Sequence, residues 1–88
     1  MFVEYIIAGP ILLSMLSLDE GFIISVREKY GEDISKINLS NNGLQDLGSI
    51  GKLHNLVKIN LSKNNLRDVS ALQGLKKLTE LNLADNEM

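Results

Sequence analysis

Polar and charged side chains recur at intervals of 22 residues in this 88-residue chain. The asparagines in this pattern are Asn38, Asn60 and Asn82, and the residues two places before them are Lys36, Lys58 and Glu80. On an exposed surface, carboxamide, ammonium and carboxylate groups form hydrogen bonds and ion pairs with another molecule. Because these groups recur at the same position of each 22-residue segment, they predict a surface that binds another molecule.

A wider set of polar residues belongs to this surface, which we call the strand face. Each lies at an outward position of a short predicted strand or just after it, because successive side chains of a strand point to opposite sides. The set comprises Lys36, Asn38, Ser40, Lys58, Asn60, Ser62, Lys63, Glu80, Asn82 and Asp85. We expect it to read an extended peptide or a domain surface. The alternative is a solvated face without a partner, since the aromatic anchors of tight interfaces are missing.

Residue types that support catalysis or metal binding are scarce. The chain has no cysteine, and its one histidine, His54, lies between two of the segments, where we expect it to be exposed and unpaired with any acid. No glycine-rich phosphate loop precedes a helix, and no spacing typical of metal ligands occurs. The sequence therefore predicts a protein that is not an enzyme and that uses no cofactor and no metal.

Charge and cysteine content limit the partners and the compartment. The net charge is −2 and there is no long run of lysine or arginine, which does not support nucleic-acid binding. The absence of cysteine excludes disulfides and is typical of a reducing compartment. We expect another protein to be the partner, and neither a nucleic acid nor a membrane.

The polar positions are set on a repeated apolar framework. Three segments follow the pattern L-x-x-I-x-L-x-x-N-x-L, with conservative replacements, and they begin at Ile34, Leu56 and Leu78. The pattern resembles that of leucine-rich repeats, here 34–55, 56–77 and an incomplete 78–88. The resemblance implies an α/β solenoid with short parallel strands on its concave side. The strand face would then lie in the concavity, the surface with which this class commonly binds proteins.

The segments between the strands favour tight turns on the convex side. Apolar residues occupy every third position, at Leu44, Leu47, Ile50, Leu53 and Leu56, then at Leu66, Val69, Leu72, Leu75 and Leu78. A 3₁₀ helix has three residues per turn, so such a row stays on one side of it. We therefore predict 3₁₀ or irregular turns.

The Asp46-Leu47 and Asp68-Val69 pairs resemble an acidic–apolar pair in one class of these repeats. It is the 22-residue intracellular class, typified by the long regulatory subunit of protein phosphatase type 1 and also found in ciliary, centrosomal and spliceosomal proteins. The resemblance implies a cytoplasmic protein, with nuclear, centrosomal and ciliary locations as variants. Extracellular members generally have Cys-rich caps, which this chain lacks.

Asn42, Asn64 and Asn86 follow the strands, where the chain turns away. A buried carboxamide there can hydrogen-bond the backbone groups freed by the turn and those of the next repeat. Each buried polar group left unpaired would cost about 1–3 kcal/mol. We expect these asparagines to form a structural ladder without a catalytic role.

Residues 17–33 predict an N-terminal capping helix from about 18 to 30. Ser17 and Glu20 have the spacing of a capping box, and Gly31 is placed to end the helix in the left-handed conformation. The apolar face of the helix consists of Phe22, Ile23, Val26 and Tyr30. This face would cover the hydrophobic end of the first repeat.

Residues 1–16 carry one charge, Glu4, and are otherwise almost entirely apolar, and Gly9-Pro10 divides them. We expect this segment to pack over the open end of the repeats or to be poorly ordered. The alternatives are signal or membrane association and a partner-binding helix. The segment lacks the basic start and the cleavage site of a secretory signal, and its apolar run is shorter than the about 20 residues of a membrane span.

The third repeat reaches only its eleventh position at Met88. Its strand would present an unpaired sheet edge, which favours pairing with another chain, including a second copy. The leading hypothesis is a fragment or short isoform of a longer repeat protein, acting as a scaffold for protein–protein interaction. The alternatives are a secreted or membrane-associated repeat protein directed by the apolar N-terminus, and a truncated product without function.

Overall fold

Short parallel strands form the frame of the molecule. A computed structural model describes residues 6–7 and 18–88. The strands are β1 (Ile6–Ile7), β2 (Lys36–Asn38), β3 (Lys58–Asn60) and β4 (Glu80–Asn82). They pair in parallel in the order β1-β2-β3-β4, and β2, β3 and β4 align residue for residue at the offset of the sequence repeat. The repeated sequence is therefore a repeated structure, an open parallel sheet.

The hydrophobic core lies on the side of the sheet opposite to the strand face. Ile37 in β2 is 0% exposed and Ile59 in β3 is 1% exposed, while the lysines and asparagines beside them are half-buried. This alternation follows from the pleat of a strand. In β4 the equivalent Leu81 is 41% exposed, because no further strand of the described chain lies against it.

Each return segment contains a 3₁₀ helix, at Ile50–Lys52 after β2 and at Ser70–Gly74 after β3. The two helices pack against each other, and their apolar residues join the core. Gly51 lies at the contact: a Cβ added there would stand 3.0 Å from the carbonyl oxygen of Ala71. Glycine at position 51 therefore allows this close approach.

Helix α1 (Glu20–Tyr30) begins later than expected. Asp19 is its N-cap, and the Asp19 carboxylate accepts the N–H of Phe22 at 2.9 Å. The capping box that we predicted around Ser17 is therefore wrong. Leu18 gives the reason, because it is fully buried in the core and its carbonyl accepts the N–H of Ser49 at 2.7 Å. In a helix that started at residue 18, the Leu18 carbonyl would instead accept a backbone N–H of the first turn.

The apolar side of α1 packs on the first repeat. Ile23 and Val26 are buried in the same cluster as the repeat leucines. The Arg27 guanidinium donates to the carbonyl of Lys52, and the Lys52 ammonium pairs with Glu20, so that both ends of α1 are linked to the first 3₁₀ helix. These contacts place α1 beside the first repeat, and its role as a cap stays a prediction.

The C-terminal end of α1 lies at Gly31. The Gly31 N–H donates to the Arg27 carbonyl at 2.9 Å. Its φ of 92° is in the region that favours glycine, but its ψ of 163° is extended and differs from the left-handed helical conformation that we expected. The helix therefore ends at the predicted residue with a different backbone geometry.

β1 lies at the edge of the sheet beside β2, with Ile6 opposite Ile37 and Ile7 opposite Asn38. We did not foresee this strand, because two residues carry no periodicity. The rest of that segment lies outside the described residues, and so do the predictions that depend on it. Within the described ranges, no helix combines the length and the apolar character that a membrane crossing requires.

Candidate functional site

The sheet register brings the predicted strand-face residues together in rows. Lys36 lies opposite Lys58, and Lys58 lies opposite Glu80. The central row, Asn38, Asn60 and Asn82, has the same register. Adjacent strands are about 4.8 Å apart, so each row presents evenly spaced polar groups. A shallow cleft of about 350 Å³ lies over β3 and β4 in this surface.

The three central asparagines have the same fixed orientation. In Asn38, Asn60 and Asn82, the side-chain Oδ1 accepts the backbone N–H two residues later, at 3.0 Å in each case. These local bonds hold the carbonyl end of each carboxamide against its own backbone. The structure shows no hydrogen bond from the three Nδ2 groups to any residue of 18–88. The Nδ2 groups therefore form a row of hydrogen-bond donors.

Lys58 and Glu80 form an ion pair across β3 and β4, as their offset in sequence predicts. The distance from Lys58 Nζ to Glu80 Oε2 is 3.2 Å, and the side chains are 43% and 63% exposed. An exposed pair of this kind contributes about 0–1 kcal/mol to stability. On its other side Lys58 faces Lys36 in register, and like charges on adjacent strands repel each other.

The structure differs from the sequence prediction at Ser62. We expected it to face a partner, but it is only 8% exposed and its hydroxyl donates to Asn60 Oδ1 at 2.7 Å. β3 ends at Asn60, so the alternation of the strand does not extend to Ser62. Ser62 therefore holds Asn60 in its orientation. Ser40, the equivalent residue of the first repeat, is half-buried.

Lys63 and Asp85 lie at the turn after their strands, as does Asn41. All three are exposed and have positive φ, at 58° for Asn41 and 59° for Lys63 and for Asp85. Asparagine and aspartate tolerate this left-handed backbone, whereas for a lysine it is uncommon and strained. Strained residues of this kind cluster at functional sites. The backbone of Lys63 thus adds a reason to include it in a binding surface.

Asn64 is buried, at 5% exposed, and both ends of its carboxamide are hydrogen-bonded. Its Oδ1 accepts the N–H groups of Asn42 and Leu44, and its Nδ2 donates to the carbonyl of Leu39, each at 3.0 Å. All three of these groups belong to the preceding repeat. We expected the side chain to bond to backbone groups of the next repeat. It bonds instead to the preceding repeat, whose turn leaves backbone groups without another partner.

Asn86 repeats this arrangement one repeat later. Its Oδ1 accepts the N–H of Leu66 and its Nδ2 donates to the carbonyl of Leu61, both at 3.0 Å. Asn42, in the first repeat, donates from its side chain to the carbonyl of Ser40 at 3.1 Å. The ladder therefore joins the three repeats at the ends of their strands, away from the donor row.

A second polar row, which sequence reasoning missed, lies before the strands. It consists of Asp33, Asn55 and Lys77. Asn55 Nδ2 donates to the Glu32 carbonyl at 3.1 Å and lies 3.5 Å from Asp33 Oδ1, while Asn55 Oδ1 accepts from Lys77 Nζ at 2.7 Å. These residues have the same 22-residue spacing, but their types differ from repeat to repeat, so the row did not stand out in the sequence.

His54 is exposed, and within residues 18–88 no three histidine, aspartate or glutamate side chains come together as metal ligands. The backbone N–H of Ser70, 2.8 Å from Asp68 Oδ1, and the Ser70 hydroxyl lower the pKa of the Asp68 carboxyl. This pair lies at the start of the second 3₁₀ helix, where it closes a turn.

The comparison with protein families gives one finding that covers most of the chain. The family model described as leucine rich repeat matches residues 32–88, which include β2, β3, β4 and both 3₁₀ helices. No curated protein and no solved structure matches the chain. Leucine-rich repeats are non-enzymatic and generally mediate protein–protein interaction. The chain belongs to the leucine-rich repeat family.

Proposed function

We propose that the protein is an interaction module that binds another protein through the strand face. The single observation that carries this proposal is the row of Nδ2 groups of Asn38, Asn60 and Asn82. Their Oδ1 atoms are held by local bonds, so the outward-facing part of each carboxamide is a donor. A row of donors pairs with acceptors, and the acceptors of a protein partner are carbonyl and carboxylate oxygens.

The charges beside this row favour the same partner chemistry. Lys36 and Lys58 lie on adjacent strands next to the asparagines, and an ammonium–carboxylate hydrogen bond is about twice as strong as a neutral one. We infer that the preferred partner is an extended, acidic segment. Two intervals of about 4.8 Å make the donor row about 10 Å long, which equals about three residues of an extended chain.

The remaining strand-face residues support this assignment to different degrees. Lys63 extends the basic region beyond β3, while Glu80 and Asp85 make its far end acidic. Because no aromatic side chain contributes to the face, we expect moderate affinity, typical of interfaces without large anchors. Ser62, which is buried, acts only by holding Asn60.

Three finer statements belong to the same proposal. The Asp46-Leu47 and Asp68-Val69 pairs support membership of the 22-residue intracellular class and hence a cytoplasmic scaffold, with nuclear, centrosomal or ciliary variants. The burial of Ile23 and Val26 supports a capping role for α1. The exposure of Leu81 supports the interpretation of the chain as part of a longer repeat protein.

A peptide-display selection tests the binding proposal. Random peptides selected on the wild-type chain would be rebound to the triple variant Lys36→Ala, Lys58→Ala, Asn60→Ala. The matched control, Lys29→Ala, Lys76→Ala, Asn65→Ala, removes the same residue types from other exposed positions. We expect acidic peptides, with affinity reduced at least about tenfold in the first variant and unchanged in the control, since about 1.4 kcal/mol corresponds to tenfold. Equal binding to wild type and to the first variant would contradict the proposal.

A further inference from the structure

The ladder asparagines are followed by a different residue in each repeat. Asn42 is followed by Gly43, and this is the one Asn-Gly pair in the sequence, whereas the other two ladder asparagines are followed by Asn65 and Glu87. When the backbone nitrogen of the following residue reaches the carbon of an asparagine carboxamide, the two can close a five-membered imide ring. Glycine favours this closure, because it has no Cβ to obstruct the approach and adopts backbone conformations that other residues avoid. The first ladder position is therefore the one most suited to such a reaction.

The backbone N–H that follows the ladder asparagine is bonded in the second and third repeats. The N–H of Asn65 donates to the carbonyl of Leu44 at 2.8 Å, and the N–H of Glu87 donates to the carbonyl of Leu66 at 3.0 Å. Both acceptors belong to the preceding repeat. A bond of this kind holds the whole planar peptide unit and opposes its rotation toward the side chain.

The equivalent N–H in the first repeat is that of Gly43, and it has no acceptor among residues 18–88. The first repeat follows α1 in the chain and not another repeat. The restraint that the second and third repeats share is therefore absent from this turn within the described part of the chain.

The turn at Gly43 has room for a ring and access to water. Gly43 is half-buried with a φ of 69°, and among the described residues no atom beyond its chain neighbours lies within 4 Å of a Cβ built there. Asn42 is half-buried as well. Asn64 is 5% exposed, and its Oδ1 accepts two backbone N–H groups. Sequence, hydrogen bonding and exposure thus distinguish the first ladder position from the second.

We propose that Asn42-Gly43 is a site of spontaneous deamidation, a covalent modification that requires water and no enzyme. The Gly43 nitrogen gives up its proton and bonds to Cγ of Asn42, the bond from Cγ to Nδ2 breaks, and Nδ2 leaves as ammonia with the proton that Gly43 gave up. Water then opens the imide. Cleavage between the Gly43 nitrogen and Cγ gives aspartate, and cleavage between that nitrogen and the main-chain carbonyl carbon gives isoaspartate. This inference goes beyond the strand-face function, because it concerns the chemistry of a turn and involves no partner.

Both products weaken the joint between the first and second repeats. Each lacks the Nδ2 group that donates to the carbonyl of Ser40 at 3.1 Å. Isoaspartate also adds a methylene to the main chain between the N–H groups of Asn42 and Leu44, which now share the Oδ1 of Asn64 as acceptor, each at 3.0 Å. The lengthened turn no longer presents both donors at the spacing that fits one acceptor. The modified chain should therefore unfold at a lower denaturant concentration than the unmodified chain.

The test follows deamidation of the folded 88-residue chain with time at neutral pH. Mass spectrometry of proteolytic fragments detects the replacement of an amide by a carboxyl group at each asparagine, and fragmentation distinguishes aspartate from isoaspartate. We expect the rate at Asn42 to be at least about tenfold higher than the rates at Asn64 and Asn86. The same chain kept in denaturant gives the reference rates without the fold.

A reciprocal pair of variants separates the effect of sequence from that of structure. Gly43→Asn gives the first repeat the pair that occurs in the second, and asparagine tolerates positive φ; the rate at Asn42 should fall at least about tenfold. Asn65→Gly places an Asn-Gly pair in the second repeat, where the N–H can still donate to Leu44. In the folded variant, the rate at Asn64 should stay at least about tenfold below the wild-type rate at Asn42 and should approach it in denaturant.

Amide hydrogen exchange of the wild-type chain provides a check that needs no variant. Because the N–H of Asn65 is bonded and that of Gly43 is not, we expect Gly43 to exchange at least about tenfold faster, after correction for the intrinsic rates of the two residues. Circular dichroism shows whether both variants are folded.

Four results would overturn the proposal. They are an unmodified Asn42 after a time in which the denatured chain reacts extensively, equal rates at Asn42 in wild type and in Gly43→Asn, equal rates at Asn42 of wild type and Asn64 of folded Asn65→Gly, and equal protection of the Gly43 and Asn65 amides. None of these results bears on the strand face, which is tested by peptide binding.

Discussion

The side chain of Asn64 donates to the carbonyl of Leu39, 25 residues earlier in the chain, at 3.0 Å. The same amide also donates to the carbonyl of Leu61 in its own repeat, at 2.9 Å. One buried side chain therefore joins the ends of two adjacent strands. Because Asn64 and Asn86 repeat this bond from one repeat to the next, the stacking of the repeats depends on groups that lie apart from the strand face.

Asn64→Ala should be strongly destabilising. The substitution leaves the buried N–H of Leu44 and the carbonyl of Leu39 without their partner, and each buried group left unsatisfied costs about 1–3 kcal/mol. We expect the free energy of unfolding, measured by denaturant titration, to fall by about 2–4 kcal/mol. Asn65→Ala, at the exposed neighbouring position, should change it by less than about 0.5 kcal/mol. Similar losses in both variants would argue against the ladder.

Gly51→Ala should destabilise the packing of the two 3₁₀ helices. The new methyl group would stand 3.0 Å from the carbonyl oxygen of Ala71, which belongs to the backbone and cannot rotate away. Overpacking of this kind typically costs about 1–3 kcal/mol. Gly74→Ala is the control, since no atom lies within 4 Å of the added Cβ and its φ is not positive. Thermal unfolding of the two variants should separate them, and equal midpoints would show that the helices do not approach this closely.

Lys63→Asn should stabilise the fold and weaken binding. Asparagine tolerates the φ of 59° that strains the lysine, and a sparsely populated backbone conformation costs about 1 kcal/mol or more. We expect an increase of about 0.5–1 kcal/mol in the free energy of unfolding. The same variant should bind the selected acidic peptides less tightly, because it loses an ammonium group. A variant that gains stability with unchanged binding would remove Lys63 from the binding surface.

The titration of Asp68 should contribute to acid stability. Its pKa is lowered by the Ser70 backbone N–H and then by the Ser70 hydroxyl, so the folded state holds the carboxylate form more strongly than the unfolded state does. The contribution is present in full above the pKa of an ordinary aspartate and is lost as the pH falls through the lowered value. NMR titration of the Asp68 carboxyl carbon should show this. Ser70→Ala should raise the pKa of Asp68 only part of the way to the ordinary aspartate value, because the backbone N–H remains. An unchanged pKa would show that the Ser70 hydroxyl does not contribute to the lowering.

The repeated part of the fold was predictable because its residues obey one spacing. Ile37 and Ile59 alternate with polar neighbours, which indicates strands, and the 22-residue offset sets the pairing of Lys58 with Glu80. The row of apolar residues at every third position indicates 3₁₀ turns, and the structure has such helices at Ile50–Lys52 and Ser70–Gly74. The apolar pattern, the burial of the strand residues and the register of the strands all follow from the 22-residue repeat.

Features outside that period were not predictable. β1 has two residues and no repeat-like neighbours, so its pairing with β2 depends on tertiary contacts alone. The N-cap of α1 moved from Ser17 to Asp19 because the burial of Leu18 and its bond to Ser49 compete with the local capping signal. Strand alternation predicted an outward position for Ser62. The residue is buried because β3 ends at Asn60 and the alternation does not continue beyond it.

The most direct test of the strand-face account is an NMR titration of the side-chain amide groups of Asn38, Asn60 and Asn82. A ¹⁵N-labelled chain would be titrated with an acidic peptide from the display selection, and the side-chain N–H₂ signal of Asn65 would serve as the internal control. We expect downfield shifts of the three N–H₂ signals as the Nδ2 donors bond to the peptide, with the Asn65 signal unchanged. A bound peptide that leaves all three signals in place would contradict it.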